Sequence, residues 1–202
     1  MNASNYIELD EQQRGLTRSQ TLNSLGVVIL ALGMLFLGLL MRNSALNARA
    51  AFVDQQSGIR VQIPANWLIS SNQAEFVVQA EDPGARPFKT LLRVSLIPVG
   101  AEATPRNVID TLTLQRAGRL STYRILSITP STIGDSPAIE MDYAYVQADT
   151  NPFISVIPIV VRGRDVVVIE DGQAIIVTYR EAETRFAENV IYFEAFLASL
   201  EF

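Results

Sequence analysis

Between Arg18 and Arg42 the chain carries no charge, and the centre of that stretch, Leu25 to Met41 (LGVVILALGMLFLGLLM), is apolar almost throughout. Twenty-three uncharged residues, Ser19 to Met41, extend roughly 34 Å as a helix, enough for a hydrocarbon core of about 30 Å. Eleven of the seventeen central residues are Leu, Val, Ile or Phe, and each favours insertion by roughly 0.3 to 0.6 kcal/mol. A buried helix of a soluble domain is usually shorter and amphipathic, so the stretch reads as one membrane-spanning helix. Gly26 and Gly33 lie seven residues apart and share a face on which another helix could pack closely. Lipid-facing glycines are the alternative.

The membrane segment divides the chain into a polar tail (1–23), the helix (24–42), a polar connector (43–51) and a domain (52–202). About 150 residues suit one domain with one good core. The tail's length and acidic character (Glu8, Asp10, Glu11) argue against a cleaved signal peptide, although Ala48-Arg49-Ala50 offers a small-x-small cleavage pattern. The tail holds too little apolar surface to order itself, so Tyr6, Ile7 and Leu9 are expected to contact a neighbouring subunit. Arg14 and Arg18 before the helix balance Arg42 and Arg49 after it, so charge leaves the orientation open. The signal-anchor layout of short tail and large C-terminal domain places the tail in the cytoplasm and the domain outside the cell membrane.

Composition removes much chemistry. The chain has no Cys and no His, hence no disulfide, no thiol nucleophile, no Cys or His metal ligand and no histidine base. A net charge of −5 without a basic run gives no reason to expect nucleic acid. Fifteen of the sixteen basic residues are Arg and only Lys89 is Lys, which carries no functional reading here.

Downstream, strand patterns dominate. Phe52 to Asp54 and Ile59 to Ile63 flank a turn and read as a hairpin closed by Pro64, with Trp67 capping one end of a core. Ala74 to Ala80 and Thr90 to Val99 are strands. Thr104-Pro105 starts a helix with Val108, Ile109 and Leu112 on its apolar face. Tyr123 to Thr129 and Ala138 to Val146 are strands, and in the second Ile139, Met141, Tyr143 and Tyr145 point one way while Glu140 and Asp142 occupy a wet face. Ser155 to Arg162 resumes the sheet around Pro158. Val166 to Glu170 and Gln173 to Tyr179 form a hairpin over Asp171-Gly172, a pair suited to a primed turn. Thr184 is the expected cap of a final helix whose Phe186, Val190, Phe193, Phe196, Leu197 and Leu200 form a wide apolar stripe. Glu181, Glu183 and Glu188 are favourable charges near its positive end.

The opening phrase Gly58-Ile59-Arg60-Val61-Gln62-Ile63-Pro64-Ala65-Asn66-Trp67, followed by a middle helix, antiparallel strands, the Asp-Gly hairpin and a last helix, resembles the PsbP-type domain. The resemblance implies an α+β fold, an antiparallel β-sheet flanked by helices as an αβα sandwich, and a non-catalytic protein that docks on a membrane photosynthetic complex. The chain departs from that pattern in carrying its own membrane helix and in lacking histidine.

Three functions follow for such a chain. The first is a single-pass accessory subunit of a multisubunit membrane complex, respiratory or photosynthetic, contacting the lipid bilayer and other integral membrane subunits and holding no cofactor. The second is a stand-alone, membrane-tethered ligand-binding or sensing module, which a pocket lined by Trp67, Tyr143 or Phe193 would favour. The third is an enzyme. There is no Gly-x-Ser-x-Gly elbow, P-loop or dinucleotide fingerprint, and the Glu140/Asp142 pair, suited to acid-base work or a hard cation, reads better as a solvated sheet face. No catalytic or metal-binding residue is therefore expected.

Overall fold

The computed structural model describes residues 18–46, 48–148 and 157–202. Helix α1 spans Arg18–Leu46, and its residues from Leu25 to Met41 are exposed, as an apolar surface waiting for lipid would be. It contains a 19-residue segment, Asn23–Met41, long and apolar enough to cross a membrane. The described residues divide into two units, one being α1 and the other the domain that starts at Ala48.

The second unit is an α+β domain. A two-stranded hairpin, β1 (Arg49–Val53) and β2 (Arg60–Pro64), leads into a seven-stranded antiparallel sheet built from β3 (Leu68–Gln73), β4 (Phe76–Glu81), β5 (Leu91–Pro98), β6 (Ser121–Ile133), β7 (Ser136–Gln147), β8 (Ile159–Glu170) and β9 (Gln173–Ala182). Helix α2 (Pro105–Ala117) lies between β5 and β6 in the chain, and α3 (Glu183–Ala198) follows β9. The strand order is β3-β4-β5-β9-β8-β7-β6, so β9 and β8 fill the centre and β3 and β6 form the edges. Pro130 sits on edge strand β6, where a missing N–H costs no ladder bond.

Period-two alternation sorts the sheet's side chains into two cores. Val166, Val168, Ile175, Val177 and Tyr179 face the β1–β2 hairpin and the α3 stripe of Phe186, Phe193 and Phe196. Met141, Tyr143, Tyr145, Val161, Val167 and Ile176 face Val108, Ile109 and Leu112 of α2. Thr104 caps α2, accepting the N–H of Asn107 at 3.3 Å. Asp171 and Gly172 both adopt positive φ, 48° and 73°, the geometry a type I′ hairpin turn requires.

Four local expectations change. Strand β3 is polar and lies at the edge, with Leu68 and Ile69 exposed, so it lacks the apolar alternation that marks a strand in sequence. β8 runs unbroken from Ile159 to Glu170, joining the strand expected to end at Arg162 to the one expected to start at Val166. Thr184 does not cap α3: the chain passes from β9 directly into the helix at Glu183, with Ala182 at the cap position and no side-chain cap. Instead the fully buried Glu181 carboxylate accepts the N–H of Ala182 at 2.9 Å, Asn189 Nδ2 at 2.8 Å and the Thr90 hydroxyl. The Glu140/Asp142 side of β7 is not a wet face, since Asp142 is only 3% exposed.

Candidate functional site

Arginine geometry distinguishes the two faces of the sheet. On the α3 face, Asp142 of β7 lies opposite Arg164 and next to Arg162 of β8. It accepts Arg164 Nε at 2.7 Å and Nη2 at 3.0 Å, and Arg162 Nη2 at 2.9 Å. Burial pushes the Asp142 carboxyl up, but the hydrogen bonds and charges of the two arginines outweigh it and hold the group below its ordinary value. Glu140 lies 3.1 Å from Arg164 Nε, and burial raises its pKa. The Arg162 guanidinium also stacks 4.4 Å over the Phe186 ring. Every oxygen of Asp142 is thus committed to arginine, leaving none for a cation or for proton transfer, and the described residues hold no group of three or more potential metal ligands.

On the α2 face the arrangement starts from a glycine. Tyr143, Gly163 and Arg180 stand side by side on β7, β8 and β9. A Cβ at Gly163 would lie 2.2 Å from Tyr143 Cζ, so only glycine lets the tyrosine ring lie across the strand. The ring then carries its hydroxyl to Arg180, whose Nε donates to it at 3.1 Å. Burial pushes the Tyr143 phenol up to about 12, so it stays a neutral partner. Arg116 of α2 stacks 4.5 Å over the same ring and forms a bidentate pair with the buried Asp165, its Nη2 3.1 Å from Oδ1. Thr178 donates to that carboxylate at 2.7 Å.

Between α2, the β3–β4 turn and strands β5 and β9 this face opens into a groove of about 610 Å³, lined by Arg93, Arg116, Arg119 and Arg180 with Ser95, Gln115 and Thr178, and by one carboxylate, Glu75. Arg93 donates its Nε to Gln79 Oε1 at 2.8 Å, and Gln79 is in turn oriented by Glu81 at 2.7 Å. Burial and the nearby charge of Arg180 lower the Arg93 pKa. Among the described residues only Arg116 of the four has a carboxylate within ion-pair distance. An apolar cleft of about 240 Å³, lined by Ile97, Val99, Val108 and Leu112, shares Ile97, Leu112 and Gln115 with the groove. Another cleft, of about 450 Å³, runs beside the β1–β2 turn. Its Asp54 carboxylate accepts the Ser57 N–H at 2.9 Å and the Ser57 hydroxyl at 2.5 Å.

The residues singled out from sequence do not converge. Tyr143 lies on the α2 face, whereas Phe193 is closed into the α3 core, stacked on Tyr179 at 5.6 Å, and Trp67 packs at its margin with Tyr192 at 6.0 Å. These three aromatics form no common pocket. On α1, Gly26 and Gly33 face open space. Tyr6, Ile7 and Leu9 lie outside the described residues. The groove arginines went unrecognised because they come from β5, α2, the turn after α2 and β9, segments far apart in sequence; the one local signal is the closeness of Arg116 and Arg119 at the end of α2.

No protein-family model and no curated protein matches the sequence. Solved structures share the domain's fold. A cyanobacterial PsbP (CyanoP) from Synechocystis superposes with a TM-score of 0.57 at 13% identity, over 76% of this chain and 92% of that one. LpqN of Mycobacterium tuberculosis, described as involved in cell envelope biogenesis, gives 0.53 at 10% identity over 76% and 89%. PA94 of Pseudomonas aeruginosa, described as a putative regulator of unknown function, gives 0.52 at 12% identity over 77% and 97%. At such identities the likeness establishes the PsbP-like fold and leaves function to the site.

Proposed function

We propose that the protein is a single-pass, membrane-anchored accessory subunit of a multisubunit membrane complex, respiratory or photosynthetic, that docks on and stabilises the complex's outer surface without catalysis. The observation that carries this reading is the pairing of a helix whose central span, Asn23–Met41, is uncharged and exposed with a separate PsbP-like domain whose buried carboxylates are engaged by arginine, hydroxyl or amide partners. Such carboxylates hold a structure together and are poor acids or bases. The PsbP-like fold and the cell-envelope role printed for LpqN agree with a module working at a membrane. In this reading the domain lies outside the cytoplasm, the tail inside, and Tyr6, Ile7, Leu9, Gly26 and Gly33 meet neighbouring subunits.

Purification from native membranes in mild detergent tests the proposal. Other integral membrane subunits should co-elute in fixed ratio, and Gly26→Leu with Gly33→Leu should release them. Elution of the chain alone, still membrane-derived, would overturn it. The arginine-lined groove favours a second reading, a tethered ligand-binding module acting on its own.

A further inference from the structure

We infer that the groove beside α2 binds a small amphipathic anion, a carboxylate or phosphate on a hydrocarbon stem, with its headgroup at Arg93, Arg119 and Arg180 and its stem along Ile97, Val108 and Leu112. The inference is independent of whether the chain acts in an assembly or alone.

Three observations converge on it. The first is an excess of positive charge in a concave place: four arginines meet one groove that is lined by a single carboxylate, Glu75, and the buried Asp165 forms an ion pair with Arg116 alone. Like charges gathered in excess cost stability, and an anion would relieve that cost. The second is preorganisation. Tyr143 holds Arg180 through its Nε with Tyr145 as a second hydroxyl partner, and Gln79 fixes Arg93 through an amide, so both guanidinium groups are held by neutral partners that leave their charge intact. A guanidinium held this way loses little freedom when a carboxylate or phosphate arrives, and its planar fork matches either group. The third is the neighbouring cleft. It shares Ile97, Leu112 and Gln115 with the charged groove and is otherwise mainly apolar. A bare inorganic anion would use only the charged end, whereas an anion with a stem uses both. The groove's size falls within the roughly 300 to 1,000 Å³ of small-ligand sites.

The test uses the full chain in nanodiscs of zwitterionic lipid, titrated calorimetrically with octyl phosphate, inorganic phosphate and octyltrimethylammonium, and with protein-free discs as blank. Octyl phosphate should bind saturably, at least about tenfold more tightly than inorganic phosphate because its stem buries methylenes, and the cation should not bind. Arg93→Gln and Arg119→Gln should each weaken octyl phosphate about tenfold, the loss of one charge-assisted contact, while Arg93→Lys and Arg119→Lys, which keep the charge but lose the planar fork, should fall between the parent and the Gln variants. Ile97→Asn should erase the preference for octyl over inorganic phosphate and leave the inorganic phosphate affinity in place. Discs carrying an anionic phospholipid separate the sources: suppression of the octyl phosphate titration would assign the headgroup to a membrane lipid, and an unchanged titration to a soluble molecule. Equal binding of the cation, or full affinity in a folded Arg93→Gln/Arg119→Gln double variant, would overturn the inference. So would the absence of octyl phosphate binding in every disc.

Discussion

On the α3 face of the sheet, Arg162 and Arg164 meet Asp142, Glu140 and Glu183 within 4.0 Å. On the α2 face, Arg93, Arg119 and Arg180 meet an amide, open groove and a phenol, and only Arg116 meets a carboxylate. The same residue type therefore does two jobs on opposite sides of the same strands. Where arginines and carboxylates match, each charge is desolvated against its partner and the cluster locks β7 to β8 under α3. Where they do not, positive charge is left at a concave surface, with Arg93 stacked over the Phe76 ring and Arg180 held by tyrosine hydroxyls instead of carboxylates. A matched cluster is poor evidence of function, since structural ion pairs are common; an unmatched and preorganised one points outward.

The largest effects should follow from breaking the matched clusters. Asp165 is fully buried with Arg116 nearly so, and Asp165→Ala should cost about 3 to 5 kcal/mol, the usual penalty for stranding one member of a buried pair. Asp142→Ala should cost somewhat less, about 3 kcal/mol, because Arg162 and Arg164 keep some access to water and Glu140 and Glu183 remain. Urea unfolding measures both. Because the Asp142 pKa is lowered in the folded state, its contribution is present above the ordinary value near 3.8 and fades as pH falls through the lower folded one. Acid unfolding should accordingly begin at higher pH in Asp142→Asn than in the parent.

The Tyr143 stack comes next. Its phenol is pushed from 10.0 to about 12 by burial, a shift worth roughly 2 to 3 kcal/mol. A raised folded value means the stability is fully present below pH 10 and is lost as pH climbs through about 12. Tyr145 and Tyr179 shift in the same direction, so Tyr143→Phe should flatten only part of the alkaline slope. Gly163→Ala forces a Cβ into the Tyr143 ring and should cost about 1 to 3 kcal/mol as an overpacked core does. It should also displace the ring from Arg180, which a changed tyrosine titration would report. A silent Gly163→Ala would mean that the ring is free to move and that Arg180 is not held.

What the sequence made legible follows the same division. The membrane stretch, the Asp171-Gly172 hairpin, the Thr104 cap and the final aromatic stripe are local patterns, readable within a dozen residues, and together they define the α+β architecture. The continuity of β8 was hidden because Gly163-Arg164-Asp165 carries no apolar alternation to join its two halves, and the partners of that stretch, Tyr143, Asp142 and Arg116, come from other elements. Glu181 and Asp142 look like surface charges in a linear pattern and become buried only because Asn189, Thr90, Arg162 and Arg164 arrive from other elements. The groove was the least legible feature of all. Its four arginines span residues 93 to 180 and share a surface only through the pairing of β5 with β9 and the placement of α2.

The smallest effect expected is also the sharpest test of the comparison. If the groove arginines are unmatched, deleting one should destabilise the domain only slightly. Arg93 has no carboxylate within ion-pair distance among the described residues, and both burial and the charge of Arg180 lower its pKa. Arg93→Gln removes that repulsion but gives up the hydrogen bonds to Gln79, the stack on Phe76 and the attraction of Glu75, so the net effect should be small, a loss of no more than about 1 kcal/mol. Salt distinguishes this from a merely tolerant site. Screening weakens repulsion between exposed charges, so added salt should stabilise the parent slightly more than Arg93→Gln, measured by urea unfolding at low and high ionic strength. Arg164→Gln, on the matched face, should show the opposite sign, because there salt weakens an attraction in the parent that the variant lacks. A loss of several kcal/mol in Arg93→Gln would place Arg93 among the structural arginines and erase the distinction between the two faces.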